Sequence, residues 1–206
     1  MSKLLSYLEQ FNSKERFFLV RQILGNPKFT LAEDFLKELS DIGLNVPKNA
    51  FSAMDYHLDW LYASLYLAEN NEESEEFDNL DQIIKGQQED IDWLIAFEDN
   101  DKHHIILIEA KGVTGWSKPQ MQSKAERLKN IFNNCLVNII PHFVIMSPYK
   151  PTHEELDDER WVDWMKEPKR KWINLKISEQ LFCVQRCDKD KNEYKKWRIV
   201  PRKISS

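Results

Sequence analysis

The sequence predicts an α/β fold in which helices flank a mixed central sheet, with a helical extension at the N-terminus and a β-hairpin at the C-terminus. Three observations support this. The first third of the chain repeats apolar residues with the helical period. The apolar runs 92–97 and 104–110 then follow, separated by the turn-forming residues 98–101. Finally, a segment with helix-start signals leads from the second run to a further apolar run at 143–146, which predicts a crossover connection.

Helical patterns account for nearly all of the first 69 residues. A short amphipathic helix is predicted over residues 4–11, and a second is predicted to begin at Ser13 and to end at Gly25. A capping box at Thr30 predicts the start of a third helix, which Gly43 ends. The segment 48–69 is apolar nearly all round, so we expect it to form one buried helix against the sheet.

The remaining elements follow from turn and cap signals. Ser117 and Pro119 open a helix that runs to about residue 134, and Thr152 opens another over residues 152–166. A further strand is expected at 77–85, and a final hairpin is expected from 180–187 and 194–200. We divide the chain into an N-terminal helical extension (1–46), a core (47–150), and a C-terminal helix with a basic hairpin (151–206) packed on the same domain.

The net charge of −5 conceals an uneven distribution of charge along the chain. Residues 69–101 contain 13 acidic and 1 basic side chain, whereas residues 164–206 contain 13 basic and 5 acidic ones. In the second block, Lys169-Arg170-Lys171-Trp172 and Lys195-Lys196-Trp197-Arg198 interleave basic residues with tryptophan. This pattern suits either contact with a nucleic acid or an ordinary basic hairpin whose tryptophans are in the core.

Several classes of function lack sequence support. Only 5 glycines occur, and no glycine-rich dinucleotide or P-loop motif is present. The N-terminus lacks the pattern of a secretory signal, and no apolar run is long enough for a transmembrane span. Three cysteines, an odd and sparse number, suit a reducing compartment. We therefore expect a cytoplasmic protein without a membrane partner.

The candidate catalytic residues lie on the two clearest strands. Asp92 begins the first strand and Glu109 ends the second, so an antiparallel hairpin brings them together. Lys111 lies two residues beyond Glu109, on the same face. Two adjacent carboxylates favour a hard divalent cation such as Mg²⁺ or Mn²⁺, and an ammonium group beside them can orient water or offset phosphate charge. These are the parts of metal-assisted phosphodiester hydrolysis.

The pattern Asp92-(x16)-Glu109-x-Lys111 across a hairpin resembles that of the PD-(D/E)xK nuclease superfamily, which has the restriction-endonuclease-like fold. The resemblance covers residues 48–147. It implies that Asp92, Glu109 and Lys111 are catalytic and that Asp92 and Glu109 bind Mg²⁺ or Mn²⁺, with a contribution from the Ala110 carbonyl. Ile91 stands where the family motif has proline, and Asp90 competes with Asp92 as the first acid.

The resemblance also implies further site residues on two helices. Family members often add a metal-binding acid from the first core helix, where Asp55 and Asp59 are candidates and Asp59 is preferred. Many also place a glutamine on the helix after the lysine, which suggests substrate contacts by Gln120, Gln122 and Lys124.

Three functions are consistent with these residues. The first is a metal-dependent nuclease that acts on DNA, with a homodimer as a possible assembly. The second is a catalytically inactive relative that serves as a binding or interaction module. The third is an unrelated α/β protein whose hairpin imitates the motif. A sheet without a crossover helix after Lys111 would support this third function.

Overall fold

The computed structural model of the chain describes residues 2–70, 74, 76–86, 89–133, 138–166, 170–178, 180–187 and 196–202. It has an α/β fold with a five-stranded mixed sheet, helices packed on it, and a separate two-stranded sheet near the C-terminus. The helices are α1 (Lys3–Phe11), α2 (Glu15–Ile23), α3 (Glu33–Asp41), α4 (Leu58–Asn70), α5 (Lys118–Asn133) and α6 (His153–Leu156). The strands are β1 (Phe51–His57), β2 (Asp90–Asp99), β3 (Lys102–Ala110), β4 (Ile139–Ser147), β5 (Lys171–Asn174), β6 (Phe182–Arg186) and β7 (Trp197–Pro201).

The five strands of the central sheet lie in the order β1-β2-β3-β4-β5. The first three are antiparallel to one another, whereas β4 runs parallel to β3 and β5 runs parallel to β4. Helix α5 connects β3 to β4, because parallel neighbours need a crossover rather than a tight turn. The expected hairpin and the expected crossover are therefore both present, and the hairpin turn contains Asn100 and Asp101 at positive φ.

Apolar side chains cover both faces of this sheet. On β3, Ile105 and Leu107 belong to a core cluster that includes side chains of α1, α4 and α5. Their neighbours Ile106 and Ile108 point to the opposite face and belong to a second cluster, to which α3 contributes Leu39. Burial on both faces explains why the strands appear in the sequence as continuous apolar runs.

The N-terminal helix is attached to the core by a buried hydrogen bond. Tyr56, which is fully buried, donates its hydroxyl to the carbonyl of Leu8 over 3.0 Å. Leu4 and Leu8 are also buried, so α1 packs its apolar face against α4. No helix in the described part of the chain is long and apolar enough to cross a membrane.

The prediction of one helix over residues 48–69 was wrong in its first half. Residues Phe51–His57 form β1, which pairs with β2 from Phe51 opposite Ala96 to His57 opposite Asp90. The strand contains no valine, isoleucine or threonine, so its composition gives little indication of β structure. Pairing with β2 supplies the backbone partners that decide the conformation, and the helix begins only at Leu58.

Two further predicted elements differ in the structure. The described residues of the predicted strand at 77–85 form a loop, in which the Asn79 side chain hydrogen-bonds both the N–H and the carbonyl of Ile84. The helix predicted over 152–166 begins with the expected capping box at Thr152 but ends at Leu156. It stops because Asp157 adopts a left-handed conformation, with φ of 52°.

Helix starts and one strand also differ from expectation. Thr30 does not cap α3; its N–H instead donates to the side chain of Asn26 over 2.8 Å, and Ala32 takes the N-cap position. Lys14 rather than Ser13 is the N-cap of α2. Strand β5 was not predicted, and it extends the central sheet with residues from the C-terminal part of the chain.

Candidate active site

The register of the hairpin brings Asp92 and Glu109 to the same end of the sheet. The last recorded pair before them is Trp93 opposite Ile108, so Asp92 and Glu109 are the next residues on adjacent strands. The Asp92 carboxylate accepts a hydrogen bond of 2.7 Å from the N–H of Ala110 through Oδ2. Asp92 thus binds the backbone at the point where β3 ends, one residue beyond Glu109.

Glu109 is the most buried acid of this group, with 1% of its surface exposed. Its Oε2 forms an ion pair with the Lys124 ammonium group of α5, and its Oε1 lies 3.8 Å from the Lys111 ammonium group. Burial raises the pKa of Glu109, an effect that the charge of Lys124 opposes and that of Asp92 reinforces. Burial therefore disfavours the ionised form of Glu109, and nearby cations stabilise that form.

Lys111 lies at the carboxyl ends of two parallel strands. Its N–H donates to the carbonyl of Met146 over 2.9 Å, which continues the β3–β4 pairing by one residue. A narrow cleft opens beside it, between residues 111–116 and residues 147–151. Ligand sites of open α/β sheets often lie at the carboxyl ends of such strands, so this position can admit a substrate group.

Lys124 has a role that the sequence did not suggest. It was expected to contact substrate, but it is 3% exposed and pairs with Glu109. It lies on the apolar face of α5, together with Met121, Ala125 and Leu128. A charged residue on the buried face of a helix signals a partner in the core, and this signal could have been read from the sequence.

Asp59 is held by structural contacts of the same kind. Its carboxylate accepts hydrogen bonds from the N–H groups of Lys85 (3.2 Å) and Gly86 (2.9 Å), and forms an ion pair with Arg127. Arg127 lies one turn beyond Lys124 and also approaches Glu89 at 3.6 Å. Asp59 thereby closes the loop over residues 76–86, and a role as a metal ligand would require it to exchange these partners.

The alternative acids are also paired. Asp90 accepts a hydrogen bond of 2.7 Å from the ammonium group of Lys14. Asp55, which has a positive φ of 49°, lies 2.9 Å from the guanidinium group of Arg16. Both partners lie at the start of α2, so these two acids connect the N-terminal helices to the sheet.

The two glutamines of α5 lie in different surroundings. Gln120 is exposed in the first turn of the helix. Gln122 donates to the Asp157 carboxylate over 2.6 Å and so connects α5 to the end of α6. Substrate contact by these residues stays a prediction, and for Gln122 it would compete with this hydrogen bond.

The donor atoms at the end of the hairpin match a hard cation in type. Asp92, Glu109 and the Ala110 carbonyl all offer oxygen, as Mg²⁺ and Mn²⁺ prefer. In the described part of the chain, however, no three or more His, Cys, Asp or Glu side chains are grouped so that they could hold a metal ion. Within the described residues, Asp92 and Glu109 would therefore be the only acidic ligands. An ion would have to displace Lys124 from Glu109 or share that carboxylate with it.

Comparison of the chain with protein-family models, with curated proteins and with solved structures finds no match to any of them.

Proposed function

We propose that the protein is a metal-dependent nuclease that hydrolyses DNA phosphodiester bonds, with a restriction-endonuclease-like core of the PD-(D/E)xK type. One observation carries the proposal. Glu109 and Lys111 follow one another at the end of β3, 3.8 Å apart at their charged groups, while Asp92 reaches the same place from β2. Two acids and a lysine at the same end of two neighbouring strands are the parts that this reaction needs.

The sheet topology supports the same reading. The candidate residues lie on an antiparallel hairpin, and α5 crosses over from it to the parallel strand β4, which is the connection that the PD-(D/E)xK resemblance implies. Absence of this crossover would have favoured an unrelated fold that imitates the motif. The chain departs from the expected order because β1 precedes α4, residues 77–85 form a loop instead of a strand, and β5 extends the sheet.

The proposed reaction assigns a task to each residue. Asp92 and Glu109 would hold a divalent cation together with the Ala110 carbonyl. When bound, such an ion polarises the scissile phosphate and lowers the pKa of its water. The Lys111 ammonium group, whose side chain lines the cleft and is 19% exposed, orients the attacking water and offsets negative charge on the phosphate. The water oxygen would form a bond to phosphorus as the bond between phosphorus and one sugar oxygen breaks, and the departing sugar oxygen would take up a proton.

A second candidate function has its own observation in support. Lys124 already neutralises Glu109, and the Ala110 N–H already engages Asp92. The Lys124 ammonium group thus lies where the nuclease would bind its divalent cation. A non-catalytic binding module that needs no metal would contain such an ammonium group. This alternative predicts binding of DNA or of a protein that does not depend on a divalent ion.

The test is cleavage of supercoiled plasmid and of labelled oligonucleotides in Mg²⁺ or Mn²⁺. We expect cleavage by the wild type, loss in Lys111→Ala, and retention in Lys118→Ala, which changes an exposed lysine at the start of α5. Equal cleavage by the wild type and Lys111→Ala would remove the catalytic role of Lys111. No cleavage by any of them, with DNA binding intact in EDTA, would favour the non-catalytic module.

A further inference from the structure

The C-terminal hairpin has an outward face that is apolar and exposed. Among the residues that the structure describes, β6 and β7 pair with each other and with no further strand. Their register places Val184 opposite Ile199 and Arg186 opposite Trp197. Because opposite residues of a pair share a face, one side of this ribbon presents Phe182, Val184, Trp197 and Ile199. Each of these four side chains is between 62% and 69% exposed.

The opposite side of the ribbon is different. Cys183 and Val200 form a cross-strand pair there, and both are half-buried. The ribbon therefore turns its more apolar side away from the rest of the chain. A two-stranded ribbon is marginally stable in water, and a continuous exposed apolar surface marks a contact site.

Charge identifies the chemistry of the partner. The described residues of this region, 180–187 and 196–202, contain four basic side chains and no acidic one: Arg186, Lys196, Arg198 and Arg202. The other basic cluster of the tail has different tasks. Arg170 is buried and pairs with Asp158, while Lys171 donates to the carbonyl of Ile42 over 2.6 Å. Lys169 and Lys195 lie outside the described residues. Among the described parts of both clusters, the ribbon is the one that carries exposed aromatic rings. Arg186 shares the face of these rings, whereas Lys196, Arg198 and Arg202 lie on the opposite face of the same thin ribbon.

We propose that the outward face of the β6–β7 ribbon binds single-stranded nucleic acid, with bases stacked on Trp197 and Phe182 and the phosphate backbone contacted by Arg186. The two rings lie at opposite ends of the ribbon, about 13 Å apart along the strand direction, as follows from a rise of about 3.3 Å per residue. Val184 and Ile199 provide the apolar floor between them. Aromatic platforms on a positively charged element are the usual device for binding single strands without sequence preference.

Two other partners fit the ribbon less well. A second copy that used the same face would bring two ribbons of like positive charge together, which opposes association. Insertion into a membrane would place the unpaired outer edges of β6 and β7 in a medium that cannot hydrogen-bond them. A nucleic acid neutralises the basic residues and leaves both strand edges in water.

The inference rests on the proposed function only for the choice of DNA as the substrate, and its test is independent of cleavage. Binding of a fluorescein-labelled single-stranded oligonucleotide is measured by anisotropy in EDTA, with wild type and with Lys111→Ala. Both should bind equally. If both bind but neither cleaves in Mn²⁺, the nuclease proposal fails while the ribbon proposal stands.

The decisive variant is Trp197→Ala. Loss of one stacked base should weaken binding about 5- to 150-fold. Phe18→Ala, which removes a 49% exposed ring from α2, is the matched control and should leave binding unchanged. Arg186→Gln should lower the slope of log affinity against log salt by about 0.7. Far-ultraviolet circular dichroism establishes that each variant is folded.

Three results would overturn the proposal. The first is oligonucleotide binding by Trp197→Ala that equals that of the wild type. The second is a change from dimer to monomer in Trp197→Ala, with oligonucleotide binding unaffected, which would make the face an interface between two copies. The third is loss of binding to anionic phospholipid vesicles in the same variant, again with oligonucleotide binding unaffected.

Discussion

Replacement of Lys124 by methionine tests whether the Lys124 ammonium group occupies the position that a divalent cation would take beside Glu109. Methionine keeps an unbranched side chain of similar length and removes the charge. In the wild type, Lys124 and Glu109 are 3% and 1% exposed and form an ion pair. Removing Lys124 leaves the buried Glu109 charge with the more distant Lys111 at 3.8 Å, and loss of one partner of a buried pair costs about 3–5 kcal/mol. Since 1 kcal/mol corresponds to roughly 2–4 °C for a chain of this size, we expect the melting temperature to fall by roughly 6–20 °C.

The dependence of this loss on pH follows from the environment of Glu109. Burial already raises its pKa, and loss of the Lys124 charge removes a factor that lowers it. A carboxyl whose pKa is higher in the folded than in the unfolded state stabilises the fold most at low pH, and this contribution is lost as the pH rises. Lys124→Met should therefore be least damaging in acid and most damaging at neutral pH.

A divalent cation should rescue the variant. If the site accepts Mn²⁺, the ion replaces the missing ammonium group, and an ion present at about 100 times its Kd stabilises the fold by about 2.7 kcal/mol. The wild type should gain less, because Lys124 competes for Glu109. The assay is urea-induced unfolding at pH 7 with Mn²⁺ or with EDTA.

Two controls isolate the effect. Lys118→Met changes an exposed lysine on the same helix and should alter neither stability nor the response to Mn²⁺. Glu109→Gln combined with Lys124→Met removes both charges, so it should recover much of the stability and lose the response to Mn²⁺. Equal stabilisation of the wild type and Lys124→Met by Mn²⁺ would refute the reasoning that Lys124 occupies a cation position.

Three further predictions concern stability. His142 lies 3.0 Å from His104 between ring nitrogens, and burial, with the charges of His104 and Lys171, lowers its pKa to about 4. As the pH falls, the unfolded state therefore binds a proton at this histidine before the folded state does. The free energy of unfolding should fall by about 1–2 kcal/mol between pH 6.5 and pH 4. His142→Asn should reduce this loss, as measured by urea titrations at both pH values. Tyr56→Phe leaves the buried carbonyl of Leu8 without this donor and should cost about 1–3 kcal/mol in the same assay, with retained helicity. Arg127→Met leaves Asp59 without its buried partner and should cost about 3–5 kcal/mol, whereas Lys129→Met on the exposed face of α5 should cost little.

The strongest sequence predictions concern local signals. The hairpin of β2 and β3 and the helix α5 were located from apolar runs, turn residues and a helix-start signal, all of which depend on near neighbours. The capping box at Thr152 formed for the same reason, because its two hydrogen bonds join residues three apart. The predictions that failed concern segments whose partners are distant. Residues Phe51–His57 are a strand because β2 lies beside them, and apart from Phe51 and Tyr56 their composition gives little indication of this.

For the candidate site, too, some features follow from local sequence and others from tertiary packing. The sequence by itself determined that Asp92, Glu109 and Lys111 come together, because strand pairing and the alternation of side chains follow from spacing along one hairpin. Only the tertiary structure decided how those charges are balanced. Lys124 lies on Glu109, and Arg127 lies on Asp59, because α5 packs its buried face against the sheet. That docking joins residues up to 68 positions apart, and a buried charge takes whichever partner the packing brings within reach.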